Sequence, residues 1–247
     1  MQHKKVMVFS HERSGTHFLM NTLVLNFGYH SNRIDVDFPL GLNFHSHRAI
    51  AKFFERFRGQ PVGNVFKSHH HVDFFGPVLE SLLEEFHVFY VFRDPRDVMT
   101  SFWRFLRTLP WDEGPKTKDV GAFMRSPPSG GMMRYQKFQN PTCLDRWQEH
   151  VRSWQSAGRG LESPNFSFVR YEELSFSFDQ TVQWIAERLG RRCEKPIRPD
   201  PKAGVVGPWR GDVGTHREFF NEADHDWLGG ALDPEMKDFL AEHRSAA

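Results

Sequence analysis

The stretch from Val6 to Phe27 constrains the fold more than any other part of the chain. Val6 to Phe9 is a short apolar run, and its length and valine content predict a strand buried on both faces. Ser10 to Ser14 is polar and has to turn, and Gly15 permits close backbone approach. Phe18, Leu19, Leu23 and Leu25 predict a helix buried nearly all round, with Gly28 where it would stop. A strand, a tight polar loop and a helix N-terminus aim free N–H groups and the positive end of the helix dipole at one spot. Arg13 adds a fixed positive charge, and Ser14, Thr16 and His17 add donors. Two readings stand: a cradle for a phosphate-like anion, or an ordinary strand-to-helix turn. The loop does not match Gly-x-x-x-x-Gly-Lys-Ser/Thr, because Thr16 follows Gly15 and the cation lies upstream at Arg13. That counts against a nucleoside triphosphate site with bound magnesium, but not against a phosphate site.

Strand and helix signals alternate along the rest of the chain. Asn64 to Phe66, His87 to Phe92 and Phe166 to Val169 predict strands. Helical spacing covers Ala49 to Phe57, Val78 to Phe86, Leu144 to Ala157, Phe178 to Leu189 and Pro234 to His243. Asp94 is a good N-cap and Pro95 a good first helical residue, so a further helix is expected from there to about Arg107. Trp147, Val151 and Trp154 form one stripe of their helix and are expected in the core. The alternation predicts an α/β fold: one domain over residues 1–247, with a central, parallel, doubly wound sheet flanked by helices. Residues 29–47 are loop-like. Residues 108–141 hold Pro110, Gly114, Pro115, Gly121, Pro127, Pro128, Gly130, Gly131 and Pro141, which suggests a flexible, lid-like insertion.

Composition narrows the function classes. The 32 basic and 31 acidic residues leave a net charge of +1, which gives no reason to expect a nucleic-acid partner. Cys143 and Cys193 match no metal or redox spacing and are expected as free thiols in a reducing compartment. The opening Met-Gln-His-Lys-Lys leads directly into a strand, and no apolar stretch is long enough to cross a membrane. A soluble, cytoplasmic protein without a membrane partner is expected. The 25 phenylalanines and 7 tryptophans are mostly core, although Phe38, Phe44, Phe74, Phe75 and Phe105 could instead line an apolar pocket.

In an open α/β sheet, ligands lie beyond the carboxyl ends of the strands. The first strand end delivers Arg13, Ser14, Gly15 and Thr16; the second Lys67, Ser68 and His69; the third Arg93, with Ser101 two helical turns on. Arginine holds phosphate oxygens through forked hydrogen bonds, so Arg13, Lys67 and Arg93 together suit a ligand of several negative charges. His69 is the common general base among them. If the strand persists, Lys67, His69 and His71 share one face. Plainer readings compete: His69 to His71 as metal ligands with His45, His47 or Asp73, Arg93 paired with Asp97 or Asp94, and Tyr171 as a core residue.

These residues also carry a resemblance. Ser10 to Phe18 (Ser-His-Glu-Arg-Ser-Gly-Thr-His-Phe) resembles the 5′-phosphosulfate-binding loop of the sulfotransferases that use 3′-phosphoadenosine 5′-phosphosulfate. Arg93-Asp94-Pro95-Arg96-Asp97 with Ser101 is similar to their 3′-phosphate-binding motif, and Phe66-Lys67-Ser68-His69 to the segment bearing their catalytic lysine and histidine. Arg170 to Leu174 resembles their Tyr-Glu-Asp-Leu strand end, Gly204 to Trp209 their late Gly-x-x-Gly-Asp-Trp loop, and Arg146 to Trp154 the helix before their fourth strand. The chain departs from the pattern at Arg13, where many members have lysine, and at Phe18, where an adenine-stacking tryptophan is common. It departs again at Lys202-Ala203-Gly204, where Arg-Lys-Gly is common, and at Pro208, where an acid is.

The resemblance implies a P-loop NTPase-like architecture. It also implies transfer of a sulfuryl group to a hydroxyl or amine of a small-molecule or glycan acceptor, by in-line displacement and with no metal required. It makes His69, Lys67 and Arg13 catalytic. It assigns nucleotide binding to Arg13, Ser14, Gly15, Thr16, His17, Phe18, Arg93, Ser101, Tyr171, Lys202 and Gly204. A homodimer stays open. The competing functions are a P-loop-type phosphotransferase and a non-catalytic nucleotide-binding module on the same fold.

Overall fold

Four parallel strands form the centre of the protein, in a computed structural model that describes residues 4–30, 47–56, 58–59, 63, 65–202 and 212–242. The strands are β1 (Lys5–Ser10), β2 (Val65–Ser68), β3 (Phe86–Phe92) and β4 (Phe166–Arg170), in the spatial order β2-β1-β3-β4. The helices in chain order are α1 (Thr16–Phe27), α2 (His47–Glu55), α3 (Leu79–Glu85), α4 (Pro95–Leu106), α5 (Val120–Arg125) and α6 (Cys143–Leu161). They continue with α7 (Tyr171–Phe176), α8 (Phe178–Arg188), α9 (Glu222–Ala231) and α10 (Pro234–Glu242).

Alternation along β1 supplies both faces of the core. Met7 and Phe9 join Phe66, Val88, Tyr90 and Phe92 against α4, α5 and α6. Val6 and Val8 join Val65, Phe89, Val91 and Val169 against α1 and α8. A strand covered on both sides has no polar face to show, which is why β1 and β3 carry continuous apolar and aromatic stretches over Val6–Phe9 and Val88–Phe92. The Trp147, Val151 and Trp154 stripe lies in the core, as its spacing predicts.

The chain leaves β1 for β2 on one side and returns to β3 on the other. The switch point between β1 and β3 opens a crevice at their carboxyl ends. Residue 9 of β1 pairs with Ser68 and with Tyr90, so the three strands end nearly level.

Several boundaries differ from the sequence reading. Asn64 lies outside the described residues, and β2 runs on through Lys67 and Ser68. Val78 belongs to a 3-10 turn and Phe86 to β3, so α3 is shorter than its apolar pattern suggests. Leu25 is 43% exposed, because it lies about 200° around α1 from Leu23 and so faces away from the sheet. Residues 108–141 contain α5, capped by the Asp119 carboxylate, and a 3-10 segment at Gly130–Tyr135. Val120, Phe123, Met124 and Met132 are buried in the core. The helix α9 went unread, although its capping box of Asn221 and Asp224 is a local signal for a helix start. Residues 31–46, Phe57, the 203–211 segment and His243 lie outside the described residues, and with them Phe38, Phe44 and His45. Cys143 and Cys193 are free thiols. Among the described residues no helix is long and apolar enough to cross a membrane.

Candidate active site

The first loop is closed across its ends by a 2.6 Å hydrogen bond between the Ser10 and Thr16 hydroxyls. Between them the backbone turns through two left-handed residues, Arg13 at φ 66° and Gly15 at φ 104°. Gly15 is required twice over: for that dihedral, and because a β-carbon there would lie 2.1 Å from Cδ2 of Tyr171. It also stands at the N-cap of α1, with no side chain capping the free amides of the first turn. The Arg13 guanidinium crosses the crevice, where Nε donates to the Ser101 hydroxyl at 3.2 Å and the group lies over the Phe105 ring at 4.7 Å. One loop residue thus joins the ends of β1 and α4.

From β2, Lys67 reaches the same crevice, while Ser68 is turned away and bonds His70. The ring nitrogen Nδ1 of His69 lies 2.9 Å from the carbonyl oxygen of Ser10. A carbonyl can only accept, so the proton sits on Nδ1 and the basic lone pair is at Nε2. The carbonyl of His69 is held at 3.0 Å by Nε2–H of His150, whose Nδ1 accepts from the Tyr90 hydroxyl at 2.8 Å. Trp154 donates to the carbonyl of His70 at 3.2 Å. Burial pushes the pKa of His150 well below its ordinary value, so this bridge is a neutral imidazole.

The strand stops at Ser68, and with it the expected alternation. His71 does not share the face of Lys67 and His69. Its Nδ1 accepts from the Asp73 amide at 3.2 Å, capping the turn that follows, and its Nε2 lies 2.6 Å from the Glu149 carboxylate. His70 packs on Phe74 and Tyr135. Neither lines the crevice. Among the described residues no group of three His, Cys, Asp or Glu side chains could hold a metal ion.

Arg93 leaves the end of β3 almost fully buried, with its guanidinium 4.4 Å over the Tyr171 ring. Its Nη2 donates to the carbonyl of Asp212 and lies 3.4 Å from the Asp97 carboxylate, while its Nε has no partner. Burial alone would raise the pKa of Asp97. Hydrogen bonds from His216 and the Gly214 amide, together with the Arg93 charge, outweigh it and hold the carboxyl well below the usual range. The plain Arg93–Asp97 pairing is therefore present, and Arg93 faces the crevice as well. Tyr171 is likewise both a core residue and a wall of the site.

The result is a cavity of about 500 Å³. Arg13, Gly15, Thr16, His17, Lys67, His69, Arg93, Ser101 and Tyr171 all line it, joined by Glu12, Phe102, Arg104, Phe105, Thr108, Glu113 and Tyr135. Ser14 lies just beneath, fully buried, and its hydroxyl has no partner. Phe18 is in the core against Tyr171 and Phe178 and does not reach the cavity. Lys202 is exposed in a turn whose amide bonds Asp200, and Gly204 lies outside the described residues.

Sequence reasoning passed over Glu12, His11, Arg146 and His150. Both oxygens of the Glu12 carboxylate accept from Arg146, at 2.7 and 3.0 Å. Nη1 of Arg146 also donates to Nε2 of His11 at 2.6 Å, and Nη2 to the carbonyl of Met132 at 3.0 Å. Burial lowers the pKa of His11 to about 3, with Glu12 opposing and Arg146 assisting, so His11 is neutral. Burial would raise that of Glu12, but Arg146 more than offsets it and keeps the group ionised. The spacing of Arg146, His150 and Trp154 is a legible signal for one helix face; that the face meets the segments following β1 and β2 is not.

Three comparisons bear on this arrangement. The family described as the sulfotransferase domain matches residues 3–200. The 3-beta-hydroxysteroid sulfotransferase of Cavia porcellus is 31% identical over 109 residues, covering 43% of this chain and 32% of that protein. Sulfotransferase 6B1 of Homo sapiens is 25% identical over 214 residues, covering 76% of this chain and 61% of that protein. The match thus spans between a third and three fifths of the length of these relatives. The crystal structure of mouse sulfotransferase SULT7A1 complexed with PAP superposes with a TM-score of 0.67 at 16% identity, covering 98% of this chain and 89% of that one. At that identity the likeness shows a shared fold.

Proposed function

The chain belongs to the sulfotransferase family, and from that premise we propose that it transfers a sulfuryl group from 3′-phosphoadenosine 5′-phosphosulfate to a hydroxyl or amine of a small-molecule or glycan acceptor. The observation that carries the reading is the meeting of Arg13, Lys67, His69, Arg93 and Ser101 in one cavity, delivered by three strand ends and α4. The cavity suits this co-substrate. The Ser14 hydroxyl and the Arg93 Nε are buried donors without a partner, and phosphate oxygens would satisfy both. The backbone at Gly15 is bare, and the first amides of α1 are uncapped.

The bound co-substrate supplies an activated sulfuryl group. His69 takes the acceptor proton at Nε2, and its Nδ1–H bond to Ser10 steadies the imidazolium that forms. Lys67 and Arg13 stabilise negative charge on the leaving phosphate oxygen and on the sulfuryl oxygens. Arg93 and Ser101 hold the 3′-phosphate, and His17 and Tyr171 complete the wall. Lys202, which is exposed, and Gly204 are assigned further contacts to the nucleotide on the resemblance. The name of the Cavia porcellus relative specifies a hydroxysteroid, which supports a hydroxyl acceptor. The free thiols Cys143 and Cys193 support a cytoplasmic location.

Calorimetry tests the ligand. 3′-Phosphoadenosine 5′-phosphate is expected to bind far more tightly than AMP, without magnesium. Equal affinity for the two nucleotides would remove the basis for the 3′-phosphate assignment, and tight ATP binding that depends on magnesium would favour a phosphotransferase. Nucleotide binding with no sulfuryl transfer to any hydroxyl acceptor would favour the non-catalytic module.

Within residues 108–141 the lid belongs to the parts outside α5 and the 3-10 segment, whose apolar side chains are anchored in the core. Hydrogen exchange is expected to be slow at 120–135 in all states. At 108–118 and 136–141 it should be fast in the free protein and slower in the ternary complex. Strong protection throughout, with or without ligands, would make the whole segment structural.

A further inference from the structure

Arg146 is a fully buried cation on α6 that does not itself line the cavity and meets it only through Glu12, which does. Its partners are the two residues that precede Arg13: both carboxylate oxygens of Glu12, and Nε2 of His11. The other nitrogen of the His11 ring bonds the carbonyl of Glu12 at 2.9 Å, so the grip extends to the backbone just before Arg13. Arg13 itself stands at φ 66°, a conformation that a β-carbon disfavours and that persists only where the surroundings impose it.

A buried ion pair is a weak source of stability, because desolvation offsets the attraction and an apolar pair of similar volume often serves the fold as well. The pair is therefore better accounted for by what it orients. We propose that Arg146 and Glu12 form a positioning unit that holds the 11–13 backbone so that the Arg13 guanidinium reaches across the cavity to Ser101. Residues 146 and 150 lie one turn apart on α6. The same helix face thus sets the loop that carries Arg13, through Arg146, and the backbone of the base, through the bond from His150 to the His69 carbonyl. A rigid helix fixes the separation of the two catalytic groups.

The kinetic readout of this inference rests on the sulfuryl-transfer reading; its binding readout does not. Arg146→Gln and Glu12→Gln would each be made in the wild type and in an Arg13→Ala background. Affinity for inorganic pyrophosphate and for 3′-phosphoadenosine 5′-phosphate would be measured by calorimetry, and kcat/KM with a phenolic acceptor. In the wild type each glutamine variant is expected to lower kcat/KM by about 10²-fold, the usual effect of a misplacement of an ångström. Anion affinity should fall too in Arg146→Gln, whereas Glu12→Gln also removes a carboxylate charge that lines the cavity, so for that variant the difference between the two backgrounds is read. In the Arg13→Ala background the same changes should cost no more than about 2-fold, because the residue they act through is already gone. Equal losses in both backgrounds would overturn the proposal, as would wild-type values for both variants. Where Arg146→Gln does not fold, Glu12→Gln, which keeps the shape of the side chain, runs the same cycle. A wild type that binds pyrophosphate but neither binds the nucleotide nor transfers sulfuryl would sink the proposed function and leave the pyrophosphate cycle to decide the positioning role.

Discussion

Replacing His69 with alanine is expected to lower turnover by about 10²- to 10⁴-fold, roughly 3 to 5 kcal/mol of transition-state stabilisation. Affinity for 3′-phosphoadenosine 5′-phosphate should stay nearly unchanged. The split follows from geometry. In the proposed mechanism the Nδ1 proton stays with the Ser10 carbonyl and Nε2 takes the proton of the acceptor hydroxyl. A base that meets only the acceptor adds little to nucleotide binding. Lys67→Ala should behave differently and lower both turnover and affinity, since its charge meets the phosphosulfate in the ground state too. His70→Ala should have a small effect on turnover. His71→Ala should act through stability, because His71 caps the 72–74 turn and lies against Glu149 instead of facing the cavity. Near-normal turnover of His69→Ala across pH 6 to 9, with loss on changing His70 or His71, would move the catalytic assignment to another histidine.

Gly15→Ala should be strongly damaging for a single added methyl group. Alanine at φ 104° costs about 1–2 kcal/mol of backbone strain. The overlap with Tyr171 adds an overpacking cost of about 1–3 kcal/mol. Tyr171 has little room to yield: it is 1% exposed, with Arg93 over one face and Phe18 at its edge. A loss of about 2–5 kcal/mol corresponds to a drop in Tm of about 4–20 °C for a chain of this size. Nucleotide affinity should fall at the same time, because any shift of Tyr171 moves Arg93. Calorimetric melting and nucleotide titration of the purified variant check both effects. An unchanged Tm with unchanged affinity would mean that the loop relaxes freely and that Gly15 is not a close-approach position. Tyr171→Ala in the Gly15→Ala background should recover part of the Tm if the clash is the cause.

Much of this protein is decided by short-range pattern. Val6 to Phe9 and Val88 to Phe92 are runs of buried apolar and aromatic residues because both faces of each strand are covered, and that can be read without knowing what covers them. Asp94 and Pro95 start α4 through contacts within three residues, the Asp94 carboxylate accepting from the Arg96 amide. Arg13, Lys67, His69 and Arg93 stand out because charged residues at the ends of buried strands have few structural reasons to be there. Other properties depend on partners far away in the chain. The order β2-β1-β3-β4 brings three strand ends to one crevice, and no local periodicity encodes strand order. Glu12 meets Arg146 across 134 positions, and His150 holds the His69 carbonyl across 81. Alternation groups His71 with His69, but alternation lasts only while the ladder does, and the ladder ends at Ser68. The resemblance assigns Phe18 to nucleotide binding, yet its ring packs in the core against Tyr171 and Phe178. Local hydrophobic pattern therefore determined where the chain makes strands and which cations it presents. Only the packed structure decided that Nδ1 of His69 meets the Ser10 carbonyl and that Glu12 meets Arg146, because those are desolvated contacts between segments that come together only once the sheet is assembled.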